Sequence, residues 1–376
     1  MCGFFSIHNK DRYLDNIDQS IKLIKNNLKN RGPDSQNSII LNEELQPIKE
    51  VNKTKNLIIA SRLNIIDDDR KSDLPLISDC KKYILSFNGE IYNFKELKKK
   101  YLNNIEHKTN SDTEVLLNLL KYKGEYILNE LNGIFALSFY DLKKKKFLLA
   151  RDRLGIKPLY YYFKNNTFSY SSDVKNILIF KDVRKKINKN LSALFLSNIS
   201  SIKNNETFFD GIEKLQGGNF LIFDLKNFII EKYKNYWFVP KNVDPKVYTG
   251  MELYNDLHLT IERQSINNRD IAITLSGGLD SSILGLLLRD IYPEKKINAY
   301  SFTFSQNQNI NEKQYSDLIS KKFNLEKTEI KIDMEKILLS IKETNYALSF
   351  PSYGLSNVAQ NLVYKKINND GIRVCY

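Results

Sequence analysis

A cysteine stands second in the chain, in the opening sequence Met1-Cys2-Gly3-Phe4-Phe5. Removal of Met1, which a small second residue permits, would leave Cys2 with both its thiol and a free α-amine. The amine has a pKa of about 8 and can serve as the base for the thiol, so the cysteine needs no histidine. The sequence has three histidines, His8, His107 and His258, and none lies in a recognisable Cys-His arrangement. The alternative is that Cys2 is an inert, buried small hydrophobic residue.

A second group of chemically capable residues follows the apolar segment Ile271–Thr274, in the sequence Ser276-Gly277-Gly278-Leu279-Asp280-Ser281-Ser282. The pattern predicts a buried strand, a tight turn and a helix from about Ser281 to Arg289. Glycines let successive backbone N–H groups face one point, and the helix N-terminus adds partial positive charge, which suits a pyrophosphate. Asp280 would repel a bare phosphate, so its presence indicates a Mg²⁺ ion between them. The alternative is an ordinary strand–helix turn capped by serine.

The turn is neither of the two common phosphate-binding motifs. It lacks the spacing G-x-G-x-x-G of dinucleotide-binding turns and the lysine of the Walker loop.

Composition narrows the class of protein. The 376 residues are enough for two domains, and the net charge of +13 comes mostly from lysines spread along the chain. The densest lysine run, 143–146, lies between apolar segments and is typical of a hairpin tip, so we expect no nucleic-acid partner. Three cysteines cannot form a disulfide framework, and no apolar stretch is long enough to span a bilayer. We therefore expect a protein of the reducing cytoplasm without a membrane association.

The elements that must position these residues follow from periodicity. Apolar residues at helical spacing from Ile17 to Leu28 predict one helix, and Ser111–Glu114 predicts a capping box that opens another. The predicted strands are Leu57–Ser61, Tyr83–Phe87, Ile134–Tyr140 and Leu159–Phe163. Polar passages at about 185–205 and 240–248 indicate a junction. After Asp270 the order strand, turn, helix, strand, helix is typical of a parallel α/β sheet.

Seven segments together resemble glutamine-dependent asparagine synthetases, in which a glutaminase of the N-terminal-nucleophile type is fused to an ATP-pyrophosphatase domain. In chain order these segments are Met1–Gly3, Arg31–Asp34, Ser61–Asp67, Asn88–Asn93, Ser111–Glu114, Ala150–Tyr161 and Ser276–Ser282.

The resemblance implies a fold and a domain order. We expect an α+β αββα sandwich at residues 2–190 as the glutamine amidotransferase type 2 domain. Connecting strands and a linker follow at 191–250, and an α/β parallel-sheet ATP-pyrophosphatase domain, similar to adenine nucleotide alpha hydrolases, occupies 251–376. This second domain is expected to be incomplete, because a second family motif, S-G-x-G-x-D-E, is absent after Gly371–Tyr376. We therefore expect the chain to be a fragment of a longer protein.

The resemblance also implies roles in the first domain. Cys2 is expected to attack the side-chain amide of glutamine, while Asn88 and the backbone N–H of Gly89 form the oxyanion hole. Arg62 is expected to bind the substrate α-carboxylate, and Glu90 and Asp112 its α-ammonium. Each of these residues also has an ordinary structural interpretation: a hairpin turn for Asn88-Gly89, a surface ion pair for Arg62 and a helix-dipole partner for Asp112.

For the second domain the resemblance implies ATP and Mg²⁺ as cofactors. The residues expected to bind ATP are Leu275, Ser276, Gly277, Gly278, Asp280, Ser281, Ser282 and Phe304, with Asp280 also a metal ligand. The implied activity is asparagine synthesis: ammonia from glutamine amidates an adenylated aspartate. The substrates would be glutamine, ATP and aspartate, and a homodimer is compatible with the resemblance.

Two alternatives remain open at the level of sequence. One is a related amidotransferase that acts on another carboxylate or on a sugar or peptide acceptor, since Pro351-Ser352-Tyr353-Gly354 does not match the region expected for plain aspartate. The other is a glutaminase or regulatory subunit whose synthetase half is not functional.

Overall fold

The computed structural model describes residues 2–48, 53–197, 205–240, 247–265, 269–304, 313–352 and 354–376. Met1 and Tyr353, on which two of the expectations above depend, lie outside these ranges. The chain divides into two compact units, Met1–Val243 and Asp244–Tyr376.

The first unit contains thirteen of the described strands and five of the described α-helices. The strands are β1 (Gly3–Asn9), β2 (Ser35–Leu41), β3 (Pro47–Ile48), β4 (Asn56–Arg62), β5 (Leu76–Ile77), β6 (Tyr83–Ile91), β7 (Gly133–Asp141), β8 (Lys146–Arg151), β9 (Tyr160–Lys164), β10 (Thr167–Ser171), β11 (Ile212–Lys214), β12 (Asn219–Asp224) and β13 (Ile229–Asn235). The helices are α1 (Ile17–Lys29), α2 (Phe94–Tyr101), α3 (Asp112–Lys123), α4 (Val174–Ile177) and α5 (Lys189–Leu196), with short 3₁₀ turns at Arg70–Ser72 and Gly124–Glu130.

These strands form two antiparallel sheets packed face to face. One sheet has the order β11-β9-β10-β1-β4-β2-β3, and the other has the order β13-β12-β8-β7-β6-β5. One buried cluster joins Phe4 and Tyr170 of the first sheet to Phe135 of the second and extends to α2 and α3. A second cluster packs α1 and α4 against the opposite face of the first sheet. The layers are therefore helix, sheet, sheet, helix, which is the expected αββα sandwich.

Sequence periodicity explains these layers. In β1 Phe4 belongs to the cluster between the sheets, whereas Phe5 and Ile7 belong to the cluster beneath the helices. Successive side chains of a strand point to opposite faces, so a strand buried on both sides is apolar throughout, as Leu57–Ala60 of β4 also is.

The first unit continues beyond residue 190, where the sequence placed its end. Strand β11 pairs with β9, and β12 pairs with both β8 and β13, so these three strands complete the two sheets. The sequence predicted strands here, but as part of a connecting segment. Strand pairing between residues distant in sequence leaves no local signal.

The capping box expected at Ser111–Glu114 forms only in part. The Ser111 hydroxyl accepts the N–H of Thr113, as a cap should. The Glu114 carboxylate instead accepts the N–H groups of Lys108 and Thr109 in the preceding loop. A complete capping box occurs at the next unit's first helix, between Thr249 and Glu252.

The second unit has a parallel sheet with the order β16-β15-β14-β17. Its strands are β14 (Ile271–Thr274), β15 (Ile297–Phe304), β16 (Glu326–Ile332) and β17 (Val374–Cys375). Its helices are α6 (Gly250–Gln264), α7 (Leu279–Ile291), α8 (Lys313–Lys322), α9 (Met334–Leu348) and α10 (Leu355–Asn369). Apolar residues on both faces of β14 and β15 join separate clusters, as expected for a parallel sheet covered by helices.

Candidate active site

Cys2 lies immediately before β1, at one end of the sandwich. It is half-buried, and its sulfur accepts the backbone N–H of Leu63 at 3.3 Å. The pairing of Gly3 with Ser61 between β1 and β4 fixes this arrangement. Burial raises the pKa of the Cys2 thiol, and the Leu63 N–H only partly opposes this effect. The thiol is therefore neutral at rest and needs a base before it can act as a nucleophile.

The Arg31–Asp34 segment shapes the backbone around Cys2. A β-carbon added to Gly32 would lie 2.5 Å from the backbone nitrogen of Arg62, so glycine is needed for the loop to pack directly on β4. The Arg31 guanidinium donates to the Cys2 carbonyl at 3.4 Å. These contacts hold the start of β1 beside the end of β4.

Arg62 ends β4 and is 5% exposed. It forms an ion pair with Asp73 at 3.3 Å, so the pairing considered from the sequence is present, but it is buried rather than at the surface. Nη1, the nitrogen in this ion pair, also donates to the Asp69 carbonyl at 2.6 Å. Nη2 donates to the Asp67 carbonyl at 2.6 Å. A guanidinium has five N–H donors, so Nε–H and one further N–H remain unbonded among the described residues. A carboxylate can bind such a pair of donors with both oxygens.

Asn88 and Gly89 lie in β6, opposite Ala136 and Phe135 of β7. Asn88 is fully buried, and neither its amide nitrogen nor its amide oxygen has a hydrogen-bond partner in the described parts of the chain. Gly89 has a φ of 155°, and a β-carbon there would lie 2.0 Å from the Ile134 carbonyl oxygen. Only glycine fits at this position. An unpartnered buried amide is costly, which is typical of a group that serves a ligand.

Two carboxylates lie next to this segment. Asp112 opens α3, is 5% exposed and accepts the N–H of Ile91 at 2.9 Å. Burial raises the pKa of Asp112 to about 7, and the nearby Glu90 contributes to the increase. Burial also raises the pKa of Glu90, whereas the positive charge of Lys157 lowers it. Two neighbouring acids in a poorly hydrated site do not both ionise easily, and a cationic ligand would favour their charged forms.

The sequence interpretation gave no role to Lys157, which the structure places beside these groups. Burial lowers the pKa of Lys157, whereas the charges of Glu90 and Cys2 raise it, so its ammonium is within electrostatic range of both. The available signal was a single lysine within Gly155-Ile156-Lys157-Pro158, a short turn that is otherwise apolar or rigid.

The turn after β14 has the predicted conformation. Gly277 has a φ of 90°, and a β-carbon there would lie 2.6 Å from the Ser316 nitrogen in α8. The Ser276 hydroxyl accepts the N–H of Gly278 at 3.1 Å and lies 3.1 Å from the Ser281 hydroxyl. Helix α7 begins at Leu279, two residues before the predicted start, so Asp280 lies in its first turn.

A cavity of about 560 Å³ opens beside this turn. Five of the eight residues expected to bind ATP line it, namely Leu275, Ser276, Asp280, Ser281 and Phe304. Gly277, Gly278 and Ser282 belong to the turn but do not line the cavity. Tyr300, Ser301 and Phe302 of β15, together with Lys313 of α8, complete much of the wall.

The parts of the chain that the structure describes contain no protein-only metal centre. Within the described ranges, no three His, Cys, Asp or Glu side chains converge in a way that could hold a metal ion. No helix in these ranges combines the length and the apolar character needed to cross a membrane.

An αββα sandwich with a cysteine at the start of a central strand defines the first unit as a member of the N-terminal-nucleophile class. Residues 1–237 match the family model described as "Glutamine amidotransferase domain", and residues 252–375 match the one described as "Asparagine synthase". The chain therefore belongs to the glutamine amidotransferase family, with an asparagine synthase domain following in the same chain. The resemblance stated from the seven segments is confirmed.

The chain is similar to several individual proteins. The chain is 32% identical to "Putative asparagine synthetase [glutamine-hydrolyzing] 2" of Methanocaldococcus jannaschii over 81% of its own length and 60% of the relative's. It is 23% identical to "Amidase chry2" of Gibberella zeae over 83% of its length and 48% of that protein. The chain thus spans about half to three fifths of these relatives. A solved glutamine phosphoribosylpyrophosphate amidotransferase from B. subtilis aligns with 87% of this chain and 65% of its own at 14% identity, with a TM-score of 0.44.

Proposed function

We propose that this chain carries the glutamine-hydrolysing and ATP-binding parts of a glutamine-dependent asparagine synthetase. The observation that carries the proposal is the convergence of the Cys2 thiol, a guanidinium and two carboxylates at one end of the sandwich. Glutamine offers a complementary set of groups: an amide for the thiol, a carboxylate for Arg62 and an ammonium for the acids. Three free thiols, at Cys2, Cys80 and Cys375, suit the reducing cytoplasm, which is the location we infer.

Glutamine hydrolysis would proceed through a thioester. The α-amine of Cys2, once Met1 is removed, takes the thiol proton, and the sulfur attacks the side-chain amide carbon of glutamine. The resulting oxyanion accepts hydrogen bonds from the Asn88 side chain and the Gly89 N–H. Collapse of this intermediate breaks the carbon–nitrogen bond, and the protonated amine returns its proton to the leaving ammonia. Water then hydrolyses the thioester and releases glutamate.

The charged residues would select and orient the substrate. The two free donors of Arg62 bind the α-carboxylate, and Glu90 and Asp112 bind the α-ammonium. Because all three side chains are at least half-buried, these interactions act at a lower dielectric than water provides. They also place the amide carbon against the sulfur, which contributes to the rate through orientation.

The second unit would bind ATP in the cavity beside the turn. The hydroxyls of Ser276 and Ser281, which line the cavity at the start of α7, would face the phosphates, while Leu275 and Phe304 would border the adenine. Asp280 is exposed and would hold Mg²⁺ jointly with the phosphates. The positive ion would offset the repulsion between the Asp280 carboxylate and the phosphates. Attack of the aspartate carboxylate on the α-phosphorus releases pyrophosphate, and ammonia then displaces AMP from the adenylate.

A second candidate acceptor is a carboxylate other than aspartate. The Pro351–Gly354 segment, which does not match the region expected for plain aspartate, supports this alternative. A catalytically inactive synthetase half is the remaining alternative.

Two assays on the purified chain test the proposal. We expect glutamate release from glutamine without ATP, and its abolition by Cys2→Ala. Cys80→Ala, which removes an exposed thiol, serves as the matched control. Pyrophosphate release from ATP is measured in parallel with aspartate, with other carboxylates and without an acceptor. Unchanged glutamate release by the Cys2→Ala variant, or an active preparation that retains Met1, would contradict the proposed mechanism.

A further inference from the structure

The ammonium of Lys157 is a half-buried charge to which the reaction described above assigns no task. The residue lies in the turn between β8 and β9, and its backbone is bonded on both sides. Its N–H donates to the Asp152 carboxylate at 2.9 Å, and its carbonyl accepts from Arg151 Nε at 2.6 Å. The ammonium itself makes neither a hydrogen bond nor an ion pair with any residue that the structure describes.

The Asp152 carboxylate and the Arg151 guanidinium hold this turn through several hydrogen bonds to its backbone. The buried Asp152 carboxylate also accepts the N–H groups of Leu154 at 3.2 Å and Ile156 at 2.9 Å. The Arg151 guanidinium also donates to the carbonyls of Leu215 and Gly155. Since both groups bind main-chain atoms, the turn keeps its shape without any contribution from the Lys157 side chain. The backbone of the turn therefore holds Lys157 in place, and the Lys157 ammonium makes no contribution to the shape of that turn.

Asp152 also connects the Lys157 turn to β7, the strand that pairs with the one carrying Asn88 and Gly89. The same Asp152 carboxylate accepts the N–H of Phe135 at 3.3 Å, and Phe135 lies opposite Gly89 in the β6–β7 pair. Among charged groups, Glu90 has the largest effect on the pKa of Lys157, and Lys157 has the largest effect on the pKa of Glu90. An acidic and a basic side chain are therefore electrostatically coupled, yet no direct ion pair joins them in the described ranges.

We propose that Lys157 is a positioning residue for glutamine that acts through Glu90, keeping this carboxylate ionised so that it can bind the substrate α-ammonium. The inference rests on the glutaminase function proposed above and assigns it a residue that governs substrate charge.

The electrostatics of the site explain why such a cation is needed. Burial favours the neutral form of Glu90, and the neighbouring Asp112 carboxylate disfavours a second negative charge. The two positive groups that act on Glu90 are Lys157 and the chain's α-amino group. The α-amino group must be neutral before it can accept the thiol proton, so it carries no positive charge in the reactive form of the site. Lys157 is then the positive charge that acts on Glu90 when glutamine binds to that form.

Binding measurements can isolate this role from turnover. In the full chain with Cys2→Ala, calorimetry would compare glutamine with glutaramate, which is glutamine without its α-amino group. Lys157→Met should weaken glutamine binding about tenfold at pH 7 and change glutaramate binding less than twofold. The loss should be larger at pH 6 than at pH 8, because Glu90 without its cation is protonated at a higher pH. Lys157→Arg should retain glutamine affinity within about threefold.

A control variant and the kinetics of the active chain complete the test. Lys143→Met removes an exposed lysine of the same unit and should have no effect on either ligand. In the chain with Cys2 intact, Lys157→Met should raise KM for glutamine and leave kcat within about twofold. Equal losses for both ligands, or a loss confined to kcat, would overturn the role of Lys157 through Glu90.

The same measurements distinguish failure of this inference from failure of the proposed function. If the chain with Lys157 intact binds no glutamine, the glutaminase assignment itself is wrong. If it binds glutamine and Lys157→Met changes nothing, only the role given to Lys157 is removed.

Discussion

In the first unit Arg62, Asn88 and Asp112 are each at most 5% exposed, whereas Ser276 and Asp280 of the second unit lie at the surface. The first site is thus built from polar side chains that folding removes from water. The second is built from a backbone turn whose shape depends on Gly277. Buried charges discriminate ligands by charge, and backbone N–H groups discriminate by geometry. Loss of one side chain should therefore damage the first site most, and a change of backbone conformation should damage the second.

The largest effect is expected for Asn88→Ala. The oxyanion exists only along the reaction path, so kcat for glutamine hydrolysis should fall by about 10²–10³ while KM changes little. The free energy of unfolding should change little, because the variant also removes an unpartnered buried amide.

Ser86→Ala is the matched control for Asn88→Ala. Ser86 lies two residues earlier on the same strand face, and its hydroxyl is also buried without a partner among the described residues. Its removal should leave kcat within about twofold. Similar losses of kcat in both variants would show that packing of β6, and not an oxyanion contact, determines the rate.

The second unit offers the opposite test. Gly277→Ala should reduce affinity for ATP at least about tenfold, because an added β-carbon meets α8 and φ is 90°. Gly278→Ala should have a much smaller effect, since its φ is −70° and its nearest new neighbour is the Ser276 hydroxyl at 3.3 Å. Calorimetric titration with ATP and Mg²⁺ measures both, and glutamate release should be normal in each. Equal losses of ATP affinity would show that the turn's conformation is not what binds the nucleotide.

The sequence predicted those features whose signal is local. The strand–turn–helix around Ser276–Ser282 is a continuous segment. The helix at Ile17–Lys29 follows from apolar spacing, and the helix at Asp112–Lys123 follows from the capping residues at its start. The fold class followed from the order of short motifs. Asn88-Gly89 looked like a hairpin turn but lies within β6, because its partner strand begins more than forty residues later at Gly133.

The features that the sequence did not predict depend on contacts between distant residues. Lys157 reaches the site only because Asp152 bonds both to its own turn and to Phe135 of β7. Arg62 is committed in part to the carbonyls of Asp67 and Asp69, which no pattern of residue types reveals. Such contacts depend on the register between strands, which a single sequence does not specify.

A smaller effect is expected for Arg62→Lys. An ammonium keeps the attraction for a carboxylate but loses the two-pronged geometry, so KM for glutamine should rise about tenfold with kcat within about threefold. Arg12→Lys is the control, because Arg12 is largely exposed and pairs with Asp182 at 3.7 Å. A fall in kcat that equals the rise in KM would mean that Arg62 acts on the reacting amide or through the loop at 67–73, and the division of roles with Asn88 would be wrong.

The smallest effect concerns Asp112, whose pKa burial raises to about 7. Above pH 7 the ionised carboxylate binds the substrate ammonium, so KM for glutamine should rise as pH falls through 7. Asp112→Asn should raise KM about fivefold at pH 8 and very little at pH 6, where the wild-type carboxyl is already neutral. In folded protein this acid binds a proton between its unfolded pKa of about 4 and 7, so its contribution to stability declines as pH rises through that window. The variant should therefore gain about 1–3 kcal/mol of unfolding free energy relative to wild type between pH 5 and pH 8. Denaturant titrations at the two pH values measure this gain. A constant difference between the two proteins would show that Asp112 is ionised throughout, and that the buried charges of the first unit cost the fold less than its geometry indicates.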